Sequence, residues 1–278
     1  REITSEMRDE MRGELGSREG GQLVAMTTPT RGEQPEDRCG DADLKEGERE
    51  RQMFYETARN DHGLPYNPYK SIVVPRPIGW VTTLDTEGGV NLAPYSQFNN
   101  LGYDPPYVMF SSGSRHDDGG PKDSARNALV TGEFVCNMAT WELRDEINTT
   151  AQMVAPAVDE AKLAGLEMVS SNLVAPPRVK ESPVHLECRY HSTLTLPGNS
   201  VDNIVYVVVG EVVGVHISDD VITEQGKIDI LKCRPLARMG YFDYTSVESI
   251  FEIVPGGPDI EKIRRGLEGR ARGKGSAD

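Results

Sequence analysis

Cysteine is scarce in this 278-residue chain, and what there is forms no pattern. Cys39, Cys136, Cys188 and Cys233 are widely separated, with no CxxC pair and no histidine at metal-ligand spacing. That leaves no disulfide framework and no metal site to be read from the sequence. The five histidines (His62, His116, His185, His191 and His216) fall into no Ser-His-Asp pattern either. Positive charge is in deficit: 30 Lys and Arg face 44 Asp and Glu, for a formal net charge of -14. A nucleic acid or an anionic membrane rewards clustered basic residues, so neither is expected as a partner. Long apolar runs are missing as well. None approaches the roughly 18–20 residues that cross a bilayer, and the first residues hold no signal-like apolar core. The expectation is a soluble, cytoplasmic protein.

What is present divides the chain into three regions. Residues 1–62 are rich in Arg, Glu and Gly and hold only scattered apolar residues, too few to bury a core alone. They read as an acidic, polar extension in which Glu46–Ala58 has helical character. Residues 257–278, ending "RRGLEGRARGKGSAD", read as a short helix with a basic tail. Between them, 63–256 carries the strand signals. "PIGWVTTL", the turn "DTEGG" and "VNLAPYS" predict a hairpin. Pro94 cannot continue a central ladder, so the second strand must bend or run at an edge. "YVMFSS" and "EFVCNM" are further strands. Val184–Leu196 alternates with period two, placing Val184, Leu186, Cys188, Tyr190, Leu194 and Leu196 on one face of a half-buried strand. "NIVYVVVGEVVGVHI" is a β-branched run suited to a strand covered on both sides, with Gly210 and Gly214 marking bends or bulges. Ser124–Thr131, capped by Asp123 or Ser124, and "WELRDEINTTAQM" predict helices. The class is mainly β, a barrel with a few helices.

Two stretches carry chemistry. In "SSGSRHDDGGPKDSARN", Ser111 and Ser112 supply hydroxyls at a strand end, and Gly113, Gly119 and Gly120 permit close backbone approach. Lys122 adds a cation and Ser124 a hydroxyl beside the free N–H groups of a helix start, which together suit an anion. A solvated polar loop accounts for the same residues. In "NLAPYSQFNN", Gln97, Asn99 and Asn100 offer amides able to read a polar heterocycle edge, and Tyr95 or Phe98 a ring to pack on an aromatic group. A plain Asn- and Pro-containing turn remains the alternative.

Taken with "PRPIGWVTT", these stretches resemble a known family. The order "PRPIGWVTT…NLAPYSQFN…DPP…FSS…KDSARN…GEFVCN…GEVVGVHI…PLARMGYFDY", over roughly Tyr66–Pro255, is similar to the flavin reductase-like, FMN-binding split-barrel family, flavoredoxins included. The resemblance implies a split β-barrel of Greek-key type, a homodimer, and noncovalent FMN near the subunit interface. It also implies site residues. Thr82 and Thr83 would lie along the flavin. Ala93, Ser96, Gln97, Phe98 and Asn99 would surround its ring and ribityl chain. Ser111, Ser112, Lys122, Asp123 and Ser124 would form the phosphate end, with Arg76 or Arg115 as further cations and Asn127 nearby.

Such a protein would move electrons from NADH or NADPH through FMN to a flavin or another acceptor, the cofactor doing the redox chemistry. Stand-alone reductases often carry a His shortly before the "GEV" strand, where this chain has Asn203, so the flavoredoxin-like branch is the better match. The catalytic residues are unknown. His191 and His216, each on a strand, are candidates for touching a nicotinamide or a flavin carbonyl, with a hydrogen-bonded structural role as the alternative. A flavin-dependent oxidase or oxygenase acting on an organic substrate, and an electron carrier without turnover of its own, are the competing functions. The partner is a small molecule or a redox protein.

Overall fold

The computed structural model describes residues 52–113, 120–155, 158–200 and 203–253. The chain divides into two compact units between His62 and Gly63. Of the first unit only its last residues are described. The expected helix Glu46–Ala58 is not formed over its described part. Residues 52–56 are irregular, and a single turn follows, closed by Asn60 N–H on the Glu56 carbonyl at 2.9 Å. Asn60 takes a φ of 51°, a left-handed value that stops helix propagation. Residues 1–51, Arg115 and the C-terminal segment 257–278 lie outside the described residues.

The second unit is mainly β. Its strands are β1 (Arg76–Pro77), β2 (Gly79–Leu84), β3 (Val90–Tyr95), β4 (Phe98–Tyr103), β5 (Pro106–Gly113), β6 (Glu133–Met138), β7 (Met168–Val169), β8 (Arg178–Val179), β9 (Val184–Leu196), β10 (Val205–Ile217), β11 (Leu236–Gly240) and β12 (Asp243–Ser246). The α-helices are α1 (Asp123–Thr131), α2 (Arg144–Thr149), α3 (Glu160–Leu163) and α4 (Ile230–Cys233). None is long and apolar enough to cross a membrane.

Seven strands form one antiparallel sheet in the order β3-β2-β6-β9-β10-β5-β4. The β2–β3 hairpin closes as the "DTEGG" turn predicts, and β3, with Pro94, lies at the edge of the sheet. Only Ser96 and Gln97 separate β3 from β4, the opposite edge strand, so the sheet must curl round on itself. The closure is visible where the Ser111 N–H on β5 donates to the Gln97 carbonyl at 2.8 Å. The result is a split β-barrel.

The curled sheet has two cores. Inside, Val81, Tyr95, Phe110, Phe134, Cys136, Cys188 and Val208 pack together, with Ala125 and Ala128 of α1. The Phe110 and Phe134 rings meet edge to face at 5.4 Å. Outside, Trp80 and Leu92 pack with Leu143, Ile147, Ala161 and Val179. Trp80 is wholly buried and donates its indole N–H to Thr150 Oγ1 at 2.9 Å. Cys136 and Cys188 sit in the inner core as small hydrophobes.

Gly210 and Gly214 mark the two register shifts between β9 and β10. At the first, His191 is the extra residue, since Val209 pairs with Ser192 and Gly210 with Tyr190. A side chain at Gly210 would also strike the Phe134 ring, its Cβ falling 2.4 Å from Cζ.

β9 has the expected bounds, but its expected alternation fails in both halves. His185 and Glu187, on the face predicted to be polar, are buried, whereas Leu194 and Leu196, on the predicted core face, are 57% and 43% exposed. The cause is the strand's neighbours. The first half runs between β6 and β10, and the Asn172–Leu173 segment folds over its outer face. The second half runs past β6 and pairs with β10 alone, so neither face has a layer to cover it.

Helix α1 starts one residue earlier than expected, with Lys122 in the capping position. The predicted helix in "WELRDEINTTAQM" is reduced to Arg144–Thr149.

Candidate functional site

Strand alternation puts Asn91, Ala93 and Tyr95 on the inner face of β3, opposite Thr83 of β2. The first turn of α1 lies against this face. The Asn91 Nδ2 donates to Ser124 Oγ at 2.8 Å and stands 3.2 Å from Thr83 Oγ1. Asn127 Nδ2, one helical turn on, donates to the same Thr83 oxygen at 3.2 Å. The Tyr95 phenol hydrogen-bonds with Ser124 as well. Five polar side chains from three elements thus tie the entrance of α1 to the bent edge hairpin.

Charge at this junction is unbalanced toward carboxylate. Burial pushes the Tyr95 phenol up to about 12, and the Asp123 and Glu160 carboxylates add to the shift. The Ser124 hydrogen bond opposes it. Glu160, on α3, is buried and accepts from the Leu92 N–H at 3.2 Å. Burial raises its carboxyl above the usual range, with Asp123 and Asp159 adding to that rise. Asp123 is paired with Arg126.

The residues assigned from sequence fall into groups. The Ser96–Asn99 corner lies beside Ser111 through the Gln97 contact, with Gln97 and Asn99 exposed and Ser96 and Phe98 half-buried. The Phe98 ring lies over Gly79, where a Cβ would fall 2.5 Å from it. Ala93 faces the inner core beside Phe98. Ser124 and Asn127 are buried against Thr83, and Lys122 and Asp123 open the helix.

Thr82 and Thr83 point to opposite faces of β2, and both are completely buried. Thr82 Oγ1 accepts from Asn137 at 2.9 Å on the outer side, and Thr83 takes part in the inner network. Arg76 lies on β1 in the separate β1-β11-β12 sheet. Its Nη1 donates to the Val73 carbonyl at 2.7 Å, and its Nε is buried without a partner.

His191 and His216 are apart from this group. His191 is exposed, with Nδ1 3.0 Å from Ser192 Oγ and its ring edge-on to Tyr107 at 5.3 Å. The His216 Nε2 is bonded to Glu187, a fully buried carboxylate that also accepts from the Asn172 and Leu173 N–H groups at 2.7 and 2.6 Å. These bonds hold the Glu187 carboxyl below the usual range against the opposing effect of burial.

Two features leave capacity for a ligand. Lys122 makes no side-chain cap, so the first N–H groups of α1 have no side-chain acceptor from that position. The Ser112 hydroxyl, at the end of β5, is buried and has no hydrogen-bond partner. A buried hydroxyl left unpaired costs about 1–3 kcal/mol, and a bound anion would relieve it.

Sequence reasoning missed Asn91 and Glu160, and treated Tyr95 only as a ring to stack on. For Asn91 and Tyr95 the signal was available, since both share the period-two face of Ala93. For Glu160 there was none.

Comparison with known proteins identifies the family and the fold. Residues 71–240 match the sequence model of the family described as "Flavin reductase like domain". An uncharacterized protein of Aquifex aeolicus (strain VF5) is 34% identical over 188 residues, 68% of this chain and 92% of that protein. The structure of nitrilotriacetate monooxygenase component B from Bacillus cereus superposes with a TM-score of 0.62 at 31% identity, covering 66% of this chain and 90% of that one. Pseudomonas fluorescens 2-nitrobenzoate 2-nitroreductase gives a TM-score of 0.59 at 25% identity, covering 68% and 88%. With a family match over more than half its length and a split barrel to house the matched segments, the chain belongs to the flavin reductase-like family.

Proposed function

We propose that this protein binds FMN and passes electrons from NADH or NADPH through it to a flavin or another small acceptor. The observation that carries the reading is the entrance of α1 tied to β3, with the end of β5 as a second source of donors. The uncapped helix entrance, Lys122 and the unpaired Ser112 hydroxyl supply donors for a phosphate in a protein of strongly negative charge. When bound, FMN supplies hydride acceptance and release at N5. The chain supplies position. Lys122, Ser111, Ser112 and the first N–H groups of α1 hold the phosphate. The exposed amides of Gln97 and Asn99 meet the polar edge of the ring, and Ala93 and Phe98 form the apolar side. Thr83, Asn91 and Asn127 act from behind, fixing Ser124 and the helix entrance.

The functional unit is a homodimer, a reading supported by the exposed apolar side chains Leu101, Tyr103, Leu194 and Leu196, and its proposed location is the cytoplasm. Residues 1–62 are an extension outside the flavin-binding unit. A second reading, reduction or oxygenation of an organic substrate by the same bound flavin, is favoured by the likeness to the nitroreductase.

An absorbance titration with FMN, followed by anaerobic NADH or NADPH, tests the proposal. Bound flavin that bleaches with either nucleotide supports it. Bound flavin that bleaches with neither indicates an electron carrier. A folded protein that stays colourless with excess FMN refutes the cofactor assignment.

A further inference from the structure

A cleft of about 420 Å³ opens where β8 and the start of β9 meet the end of β10, lined by Arg178, Lys180, Ser182, His185, Val215 and His216 among others. It lies far from the junction described above. Ser112 pairs with Tyr206 near one end of β10 and His185 with His216 near the other, about 30 Å away at ordinary strand rise. Its size falls within the roughly 300–1,000 Å³ of small-molecule sites.

The lining is unlike the rest of this acidic molecule, for it contains no carboxylate. Arg178 and Lys180 share one face of the extended β8 segment, because Val179 between them is buried in the outer core. The carboxylates around the cleft carry bonds of their own. Glu187 is bonded to His216 and two backbone N–H groups, Glu167 pairs with Lys180 at the exposed edge, and Glu181 accepts from the Glu167 N–H at 3.2 Å. Val215, Ile217 and Pro183 supply an apolar wall, with Val215 half exposed.

Two polar atoms of lining residues lack partners, and they are of opposite kind. The Arg178 Nε–H is buried with no acceptor, although the same guanidinium donates to the Ser170 carbonyl at 3.0 Å. His185 is buried, with Nε2 2.7 Å from the Val179 carbonyl, which can only accept. The ring hydrogen is therefore on Nε2, and Nδ1 is an acceptor with nothing donating to it. Burial, with Arg178 and His216 nearby adding to it, depresses the His185 pKa to about 4, so the ring is neutral at neutral pH.

A cation with a spare donor, a neutral ring with a spare acceptor and an apolar wall are complementary to one kind of molecule. We propose that this cleft is a second ligand site, for a small hydroxycarboxylate whose carboxylate accepts from Arg178 and Lys180 and whose hydroxyl donates to His185 Nδ1. The apolar body of the ligand lies on Val215 and Ile217. A site that must satisfy a buried acceptor discriminates strongly against analogues lacking the donor. The assignment does not depend on the flavin reading.

The test is calorimetry on the full chain saturated with FMN, using mandelate, phenylacetate and inorganic phosphate as probes. Mandelate is expected to bind, and phenylacetate, which lacks only the hydroxyl, to bind about tenfold more weakly. Arg178→Met is expected to weaken mandelate at least tenfold. His185→Phe should abolish the preference of mandelate over phenylacetate. Because His185 is buried, the Arg178 variant serves as the second measurement if that protein does not fold. No heat with mandelate at millimolar concentration overturns the site. Equal affinity for mandelate and phenylacetate in the unaltered protein overturns the hydroxyl pairing with His185. Preference for phosphate over both overturns the carboxylate assignment.

Discussion

The Asn91 side chain on β3 donates to the Ser124 hydroxyl in the first turn of α1 at 2.8 Å, joining an edge strand to a helix entrance thirty-three residues later in the chain. Asn91→Ala removes this bond and the contact with Thr83. The expected result is a stability loss of about 1–2 kcal/mol together with roughly tenfold weaker FMN binding, read by denaturant unfolding and flavin titration. Loss of stability with unchanged flavin affinity would show that the network does not position the phosphate site.

Two buried hydroxyls separate structure from binding. Thr83 accepts from two amides, so Thr83→Val takes the acceptor from Asn127 and leaves Asn91 with Ser124 alone, which should cost about 1–3 kcal/mol of stability. Ser112 has no partner, so Ser112→Ala removes an unpaired buried hydroxyl and should leave the protein at least as stable as the parent. If its hydroxyl serves the phosphate, the same substitution weakens FMN about tenfold. Thermal unfolding without flavin and titration with it distinguish the two variants.

At the cap of α1, Lys122→Glu offers a reversal of sign. A carboxylate suits the positive end of a helix, so the variant should unfold no more easily than the parent. Placed beside a phosphate, the same carboxylate should cost on the order of 2–5 kcal/mol of FMN affinity. Unaltered titration curves would remove Lys122 from the site.

His185 makes stability depend on acid. Its folded pKa, about 4, lies below the unfolded value of 6.5, so the unfolded chain binds the extra proton between these limits. Its contribution is complete above about pH 6.5 and is lost as pH falls toward 4. Allowing for partial solvent screening, the loss is about 2 kcal/mol. Denaturant melts across this range should show a shallower slope for His185→Gln. Parallel slopes would mean that His185 is protonated in the folded protein.

Gly210 is fixed by its neighbour. Gly210→Ala places a methyl within the Phe134 ring and should destabilise the barrel by about 1–3 kcal/mol through overpacking. Combining it with Phe134→Leu should recover part of that loss, and a fully additive double variant would contradict the contact.

Much of the barrel was legible because its signals are local. The β2–β3 hairpin follows from a glycine-containing turn between β-rich runs. Pro94 placed β3 at an edge, since a ring nitrogen cannot donate to a central ladder. The bounds of β6 and β9 and the bulges at Gly210 and Gly214 emerged as read. What failed was the assumption that alternation alone assigns the buried face. β9 has different neighbours in its two halves, and those neighbours, not the pattern, decide what is covered.

By itself, the order of residues determined the strands, the edge, the family resemblance and the helix that opens at "KDSARN". Each of these depends on a few adjacent residues and on backbone constraints that act over single turns. Only the tertiary structure decided that Asn91 would reach Ser124, that Glu160 would be buried against β3, and that Arg178 and His185 would line one cleft. These are side-chain encounters between elements, set by how a curled sheet brings its edges together, and no periodicity along the chain encodes them.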